Sequence, residues 1–381
     1  MTRRVAIAGV AESDLGLTGK SVYELQVQAI TAALADAGLT LDDVDGLATN
    51  GSSRFAATQV AEYLGILPRW IDTTFVGGPS YEVFVGHAAH AIRDGACDVV
   101  LITYGSNQRS MRSRQLAGVL DPGTPEAQYE APYGLLNPLS GYALAAQRYL
   151  FEFGATSEQL AAVAVAARAW ALKNPKAFCY GSKPLTVDEV LASPLVSSPL
   201  HALDCCLVTD GGGAVVLVSE DRAASLAKPP VWVLGHGEAT THQGIAQMPD
   251  LVRTGGALSG AAALGMAGLA ARDIDVIQLY DSFTITVLLT LEALGFCEPG
   301  EAGSIAASGA LAPGGRLPIN TSGGGLSYCH PGMFGILLLI EAVHQLRGES
   351  GDRQLFKHET AICHGTGGMF STHATVVLGR G

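Results

Sequence analysis

The sequence predicts an α/β protein made of two duplicated halves, with a helical segment inserted into the first half. Three observations lead to this prediction. Residues 38–45 (GLTLDDVD) match residues 268–275 (GLAARDID) without a gap, 230 positions later. Each half continues with a helix pattern and a short apolar strand, and a long segment rich in alanine and aromatic residues separates the two patterns. We therefore place the halves at 1–225 and 226–381, with the insertion at about 106–198.

The repeat also extends backwards from the ungapped match. Ala33 and Ala37 correspond to Ala263 and Ala267, so each half has the same helix, glycine stop and acidic turn. Each of these helices follows a strand pattern, at residues 5–12 and 231–238. Solenoid repeats have periods of roughly 20–50 residues, so this much longer spacing indicates duplicated domains.

Further helices and strands follow the same order in both halves. In the first half, a helix at 85–93 precedes a buried strand at 98–104. In the second half, a helix at 334–347 precedes strands at 360–363 and 374–378. The insertion contains two helix patterns, at 142–149 and 157–163, and Ser157 is the expected cap of the second.

Composition excludes several classes of protein. A net charge of −12 opposes binding to nucleic acid or to an anionic membrane, because both need a basic surface. The apolar run at 336–340 is far short of the roughly 20 residues that span a bilayer, and the N-terminus lacks a signal-peptide pattern, so we predict a cytoplasmic protein without transmembrane helices. The seven cysteines are an odd number and lack a paired C-x-x-C spacing, so we expect no disulfides and no metal site.

Three motifs occur in a characteristic order along the chain. They are LDCCLVTDG at 203–211, YDSF at 280–283 and GGGLSYCHPG at 323–332. Together they resemble the thiolase superfamily over essentially the whole chain, and most of all the sterol-carrier-protein type of thiolase and the lipid-transfer-protein-like steroid side-chain aldolases. The resemblance implies the thiolase fold with duplicated αβαβα halves, and a homodimer. It also implies an acyl-coenzyme A substrate, with coenzyme A as part of that substrate and no permanently bound cofactor.

His330 is the strongest candidate for chemistry. Its segment resembles the G-H-P loop of thiolases, whose histidine acts at the thioester. An imidazole can donate a hydrogen bond to a thioester oxygen that becomes negative, or move a proton near neutral pH. The alternative is a loop histidine that only satisfies backbone groups.

The nucleophilic cysteine of thiolases is missing from this sequence. Counting back from the end of the helix before Asp94 puts the family position near Gly78. Ser80 is close enough in sequence to substitute, but no obvious base lies beside it. Covalent acyl transfer is therefore disfavoured.

Two tyrosines occupy unusual positions within the motifs. Tyr280 replaces the first residue of the family's N-E-A-F or H-D-C-F motif, and Tyr328 stands where a small or aliphatic residue is usual. Either phenol could move a proton if its neighbours help, because the reference pKa is about 10. Core packing is the alternative, but their place in two active-site motifs favours catalysis beside His330.

Further candidates carry weaker signals. Cys363 resembles the proton-transfer cysteine of the C-x-G motif, although a packing role is equally compatible, and the same holds for Cys329. Positive charge that could bind the nucleotide phosphates of coenzyme A is concentrated in one loop, at Arg109, Arg112 and Arg114. A solvated loop without a ligand would explain these arginines equally well.

By this resemblance, the expected reaction is retro-aldol cleavage of a bulky β-hydroxyacyl-coenzyme A, such as a steroid side-chain intermediate. The products would be a ketone or aldehyde and a shorter acyl-coenzyme A. One tyrosine would take the hydroxyl proton, His330 would hold the enolate and the other tyrosine would protonate carbon. Alternatives are a thiolase-type acyltransferase using Cys363, Cys329 or Ser80, and a non-catalytic acyl-coenzyme A or lipid-binding subunit. The resemblance also implies a possible complex with an OB-fold protein or a hydratase subunit.

Overall fold

The computed structural model describes residues 3–51, 53–113, 121–135, 138–226 and 228–380. Nine strands form one large mixed sheet: β1 (Val5–Glu12), β2 (Gly46–Thr49), β3 (Trp70–Asp72), β4 (Val99–Ser106), β7 (Gly211–Ser219), β8 (Val231–Thr240), β9 (Val276–Leu279), β10 (Thr360–Gly367) and β11 (Thr372–Gly379). Two further short strands pair with each other, β5 (Leu195–Ser197) and β6 (Leu200–His201).

The α-helices lie between these strands in chain order. They are α1 (Val22–Ala37), α2 (Ala56–Leu64), α3 (Ser80–Arg93), α4 (Pro125–Tyr129), α5 (Leu139–Phe153), α6 (Ser157–Ala171), α7 (Val187–Leu191), α8 (Glu220–Ala223), α9 (Gly256–Ala267), α10 (Thr284–Ala293), α11 (Ala302–Ala307) and α12 (Gly335–Arg347). A π-helical turn, Gly324–Tyr328, precedes α12.

The strand order makes the two halves equivalent. The sheet runs β3-β2-β4-β7-β1-β8-β11-β10-β9, and β1 and β8 pair antiparallel where the halves meet. In each half the first strand leads to a helix that ends at a glycine with positive φ, Gly38 at 70° and Gly268 at 67°. Glycine adopts this left-handed backbone without the steric cost of a Cβ atom. The predicted duplicated α/β architecture is confirmed, while the division between residues 225 and 226 stays a prediction.

Helices cover both faces of the sheet. Alternate residues of the strands point to opposite faces, so Ala6 and Leu101 pack against α1 whereas Ile7 and Ile102 pack on the side of α3. The same alternation in the second half puts α9 on the face of α1 and α12 on the face of α3. Helices α3 and α12 contact each other and strand β10, so their N-termini meet in the interior.

The insertion is helical, as predicted, but one detail of the prediction was wrong. Helix α6 is capped by Thr156 and not by Ser157, and the Gln159 side chain accepts the Thr156 N–H at 3.2 Å. Helix α6 packs on α10, α11 and the π-helical turn, so the insertion lies directly against the segment that carries the G-H-P-like loop.

Some other features concern the whole fold. All seven cysteines are free thiols. Among the described residues there is no cluster of potential metal ligands, and none of the helices described has the length and apolarity that crossing a membrane requires.

Candidate active site

The three sequence motifs meet in the interior through backbone hydrogen bonds. In the first motif, the Cys206 N–H donates to the Ser282 carbonyl of the second motif at 2.9 Å. The Thr209 N–H donates to the His330 carbonyl of the third motif at 3.2 Å. The fold therefore gathers residues that are up to about 120 positions apart in sequence into one site.

Tyr280 and His330 form the chemical centre of this site. Tyr280 follows β9, and its N–H donates to the His364 carbonyl of β10 at 2.9 Å, which fixes its backbone to the sheet edge. Its hydroxyl oxygen lies 3.0 Å from Nε2 of His330. Both side chains are buried, at 4% and 7% exposure, so the hydrogen bond between them is shielded from bulk water.

Backbone and ring contacts hold His330 in place. Its N–H donates to Oγ1 of Thr209 at 3.0 Å, and Nε2 of Gln108 donates to its carbonyl at 3.3 Å. The ring of Phe334 stacks on the imidazole with centroids 6.3 Å apart. This support lets the imidazole face Tyr280 in one orientation.

Burial sets the protonation state of the pair. It lowers the pKa of His330 to about 4 and raises the pKa of Tyr280 well above its ordinary value. Both groups are therefore neutral at pH 7. The phenol oxygen can accept a proton while the phenol passes its own proton to the neutral imidazole. A phenol without such a neighbour could not act as a base at this pH.

Asp281 connects the YDSF motif to the loop of His330. Its carboxylate oxygens accept the N–H of Gly325 at 2.6 Å and the N–H of Leu326 at 3.2 Å. A Cβ atom at Gly324 would overlap Oδ2 of Asp281, so the glycines let the loop wrap closely around this carboxylate. Asp281 is thus a positioning residue that sequence reasoning missed, although its place next to Tyr280 was a usable signal.

Asn320 holds the strand end that carries Tyr280. Its side chain accepts the Leu279 N–H at 2.7 Å and donates to the Leu279 carbonyl at 2.9 Å, as a neighbouring strand would. Asn320 itself has a φ of 48°, a left-handed conformation that asparagine tolerates better than most residues. This pair of bonds fixes the direction in which Tyr280 leaves β9.

Gly78 lies directly before α3, beside the ring of Tyr280. A Cβ atom at this position would be 2.6 Å from Cε2 of Tyr280 and would also overlap the Thr366 carbonyl oxygen. The space for a nucleophilic side chain is therefore already filled. Ser80 does not replace it, because its hydroxyl donates to the Gly77 carbonyl at 2.7 Å and accepts the Val76 N–H at 3.1 Å.

Tyr328 is not brought to the hydrogen-bonded pair. Its ring contacts Phe334, with centroids 6.5 Å apart, and it lines a polar cavity of about 210 Å³ together with Glu12, Glu341 and Arg353. Burial, and then the charge of Glu12, raises its pKa well above the usual value. Phe334 also contacts Tyr280 and His330, so its ring connects Tyr328 to the hydrogen-bonded pair.

The thiols of the two candidate cysteines, Cys363 and Cys329, make local polar contacts. The Cys363 thiol is fully buried and donates to the Leu338 carbonyl at 3.5 Å, and burial raises its pKa well above its ordinary value. The Cys329 sulfur lies 3.1 Å from Oγ1 of Thr209, and burial raises its pKa to about 12. Both environments oppose the thiolate form that a base or nucleophile needs. The role predicted for Cys363 stays a prediction.

The arginines proposed for coenzyme A differ in their surroundings. Arg109 donates to the Val208 carbonyl at 2.8 Å and lies over the ring of Phe178, so it is tied to the first motif. Arg112 is exposed, and Arg114 lies outside the described residues. Binding of phosphate by this loop stays a prediction.

Comparisons with known proteins show what this chain is similar to. Residues 237–380 match the family described as "Thiolase C-terminal domain-like". The chain is 37% identical to the steroid side-chain-cleaving aldolase of Thermomonospora curvata, covering 95% of each chain. It is also 37% identical to the 17-hydroxy-3-oxo-4-pregnene-20-carboxyl-CoA lyase of Mycobacterium tuberculosis, covering 96% of this chain and 97% of the relative.

A solved structure gives the same result. The Ltp2-ChsH2(DUF35) aldolase superposes with a TM-score of 0.89 at 36% identity, covering 99% of this chain and 97% of that one. The thiolase fold and the family resemblance predicted from the motifs are both confirmed. The chain belongs to the thiolase superfamily, in the group that contains the steroid side-chain-cleaving aldolases.

Proposed function

We propose that this chain is a carbon–carbon lyase that cleaves a bulky β-hydroxyacyl-coenzyme A by a retro-aldol reaction. One observation carries the proposal: the hydroxyl of Tyr280 is hydrogen-bonded to neutral His330 in a buried site where Gly78 leaves no room for a nucleophile. Such a site can move protons but cannot hold an acyl group on a cysteine at position 78. The aldolase and lyase relatives support the same reaction class.

The Tyr280–His330 pair supplies the base. The phenol oxygen accepts the proton of the substrate's β-hydroxyl group while the phenol passes its own proton to the imidazole. The bond between the α and β carbons then breaks, giving a ketone or aldehyde and the enolate of a shorter acyl-coenzyme A. The imidazolium formed at His330 lies in a buried site, where its positive charge favours the negative enolate oxygen.

The role that we propose for Tyr328 differs from the catalytic role that its motif suggests. Its phenol lies among Glu12, Glu341 and Arg353, and its contact with the centre is the ring of Phe334. We assign it to positioning Phe334, which in turn stacks on His330. The proton for the α-carbon then comes from a group other than Tyr328.

The substrate class follows from the chemistry and from the relatives. A retro-aldol reaction needs a hydroxyl on the β-carbon and a thioester that stabilises the enolate. The Mycobacterium tuberculosis relative is named for a hydroxylated steroid with a CoA-linked carboxyl group, which supports a steroid side-chain thioester here. Coenzyme A thioesters are intracellular, so the proposal places the reaction in the cytoplasm. Arg109, Arg112 and Arg114 remain the proposed contacts to the nucleotide phosphates.

Two kinds of partner belong to the proposal. Strand β3 pairs with β2 on one side only among the described strands, and its Ile71 is 48% exposed, which supports a homodimer through the first halves. The similar aldolase of known structure is named as a complex, Ltp2-ChsH2(DUF35), which supports a heterocomplex. An OB-fold protein or a hydratase subunit is the partner that the motif resemblance implies. Size-exclusion chromatography with light scattering, alone and with the co-expressed partner, tests both.

The function itself is tested by product analysis. Purified protein, with and without its co-purified partner, is incubated with a panel of β-hydroxyacyl-coenzyme A thioesters of increasing bulk. We expect equimolar ketone or aldehyde and shortened acyl-coenzyme A, with no change in the protein's mass. An acyl adduct on Cys363, Cys329 or Ser80, together with transfer to free coenzyme A, would instead establish the acyltransferase alternative.

A further inference from the structure

Glu82 is a buried acid to which the reaction as described gives no role. It lies in the first turn of α3, one helical turn after Gly78, and is 1% exposed. Neither carboxyl oxygen has a hydrogen-bond partner among the residues that the structure describes. An unpaired charge is too costly to bury in this way, so the group is held as the neutral acid.

Two glycines make room for this carboxyl group. A Cβ atom at Gly365 of β10 would lie 2.6 Å from Oε2 of Glu82, and a Cβ atom at Gly335 of α12 would overlap the same oxygen. That Cβ atom at Gly335 would also lie 2.7 Å from the carbonyl oxygen of Gly78. The acid therefore reaches the point where α3, α12 and β10 meet, next to the backbone of Gly78.

This point adjoins the reaction centre. The ring of Tyr280 touches Gly78, and Gly365 directly follows His364, whose carbonyl accepts the Tyr280 N–H. Phe334, which stacks on His330, directly precedes Gly335. Glu82 thus lies beside the same segments that hold the Tyr280–His330 pair.

The electrostatics agree with this placement. Burial raises the pKa of Glu82 to about 8. The carboxyl group therefore keeps its proton at pH 7 but can release it without a large free-energy cost. The neighbouring Cys363 thiol holds its proton far more tightly, because burial and then Glu82 raise its pKa well above the usual value.

A first-turn acid commonly has only a structural role. Such a residue stabilises a helix by accepting N–H groups of the first turn and by its charge near the helix N-terminus. Glu82 accepts no such hydrogen bond, and a neutral carboxyl group contributes little to the dipole interaction. Its side chain instead extends away from the turn, towards Gly335 and Gly365.

We propose that Glu82 is a further catalytic residue, whose carboxyl group gives its proton to the α-carbon of the thioester enolate. This rests on the proposed lyase function. The β-hydroxyl proton goes to the Tyr280–His330 pair, the α–β bond electrons become the enolate, and the Glu82 proton forms the new C–H bond. Glu82 is left as a carboxylate and His330 as an imidazolium, and return of one proton from His330 to Glu82 through water restores the starting state.

The test is deuterium exchange at the α-carbon of the product. The full-length protein, with its partner if one is required, is incubated with the shorter acyl-coenzyme A in D₂O, without ketone. The carboxylate form of Glu82 should remove an α-hydrogen and return deuterium, so exchange should rise with pH through about 8. Glu82→Gln should lose exchange and cleavage by about 10²–10⁴-fold with little change in KM, and Glu82→Asp should recover part of both.

Matched variants separate this inference from other outcomes. Tyr280→Phe should lose cleavage but keep exchange, and Glu126→Gln, which alters another buried acid with an unpaired oxygen, should keep both. Unchanged exchange in a folded Glu82→Gln protein would overturn the role of Glu82 while leaving the lyase function intact. Exchange without cleavage of any thioester would remove the lyase function instead. If Glu82→Gln does not fold, the infrared difference spectrum between wild-type protein and Glu82→Asp decides, because the contribution of Asp281, whose pKa burial raises to about 7, cancels in it. The absence of a neutral-carboxyl band of Glu82 from this spectrum at pH 7 would overturn the inference.

Discussion

The ring of Tyr280 occupies the space that a side chain at Gly78 would need. A Cβ atom at residue 78 would lie 2.6 Å from Cε2 and 2.9 Å from Cζ of Tyr280. The sequence puts the nucleophilic cysteine of thiolases near Gly78, so the Tyr280 ring lies where we expect that thiol.

Gly78→Ala should damage both stability and turnover. The added methyl group must displace Tyr280 or the Thr366 carbonyl, and overpacking of this kind typically costs about 1–3 kcal/mol. Thermal unfolding and steady-state cleavage measure the two effects. Gly265→Ala is the matched control, because a Cβ atom there meets nothing within 4 Å, and it should leave turnover unchanged and stability equal or slightly higher. A fully active Gly78→Ala protein would contradict the overlap.

Tyr280→Phe and Tyr328→Phe should differ sharply. Each change removes one hydroxyl and keeps the ring, but only the Tyr280 hydroxyl contacts His330. We expect Tyr280→Phe to lower kcat by about 10²–10⁴-fold and Tyr328→Phe to stay within a few-fold of wild type. Kinetics with a β-hydroxyacyl-coenzyme A alongside unfolding curves provide the comparison. A large loss of kcat in Tyr328→Phe would restore the catalytic role that its motif suggests.

Asp281→Asn should act through the loop of His330. The amide can accept only one of the two N–H groups now bound by the carboxylate, and leaving a buried N–H unpaired costs about 1–3 kcal/mol. We expect a lower melting temperature and a reduced kcat, because Gly325 and His330 share this loop. Asp42→Asn, at an exposed position in a surface turn, serves as the control. Normal kcat in Asp281→Asn would show that the loop keeps its position without the carboxylate.

Cys363→Ala should keep most of the cleavage activity. The thiol is hydrogen-bonded to the Leu338 carbonyl, and burial opposes its thiolate form. We expect kcat within a few-fold of wild type, together with a modest loss of stability from the small cavity. A loss of kcat comparable to that of Tyr280→Phe would support the proton-transfer role that the C-x-G resemblance suggests.

Stability should fall in mild acid because of buried histidines. Burial lowers the pKa of His236, His330 and His373 to about 4, whereas the unfolded value is about 6.5. As the pH falls, the unfolded state binds protons first, so stability that is fully present above about pH 6.5 is lost between about 6.5 and 4. Melting temperatures across this range measure the effect, and His236→Gln should reduce the slope. A constant melting temperature from pH 7 to pH 5 would contradict it.

The sequence by itself determined the architecture and the family. The match of residues 38–45 with 268–275 predicted two equivalent halves, because a helix, its glycine stop and the following strand depend on local patterns that survive in both copies. The motifs predicted that Tyr280 and Tyr328 would both lie beside His330. The absence of a cysteine near Gly78 predicted chemistry without an acyl-enzyme.

Only the tertiary structure decided which of these residues act together. Tyr328 lies two positions before His330, yet the π-helical turn directs its ring to Phe334 and the cavity of Glu12, whereas Tyr280, fifty positions away, reaches His330. Glu82 was invisible in the sequence because an acid in the first turn of a helix is ordinary. Its burial without a partner depends on Gly335 and Gly365, and contacts between residues so distant in sequence exist only once the sheet and both central helices have packed.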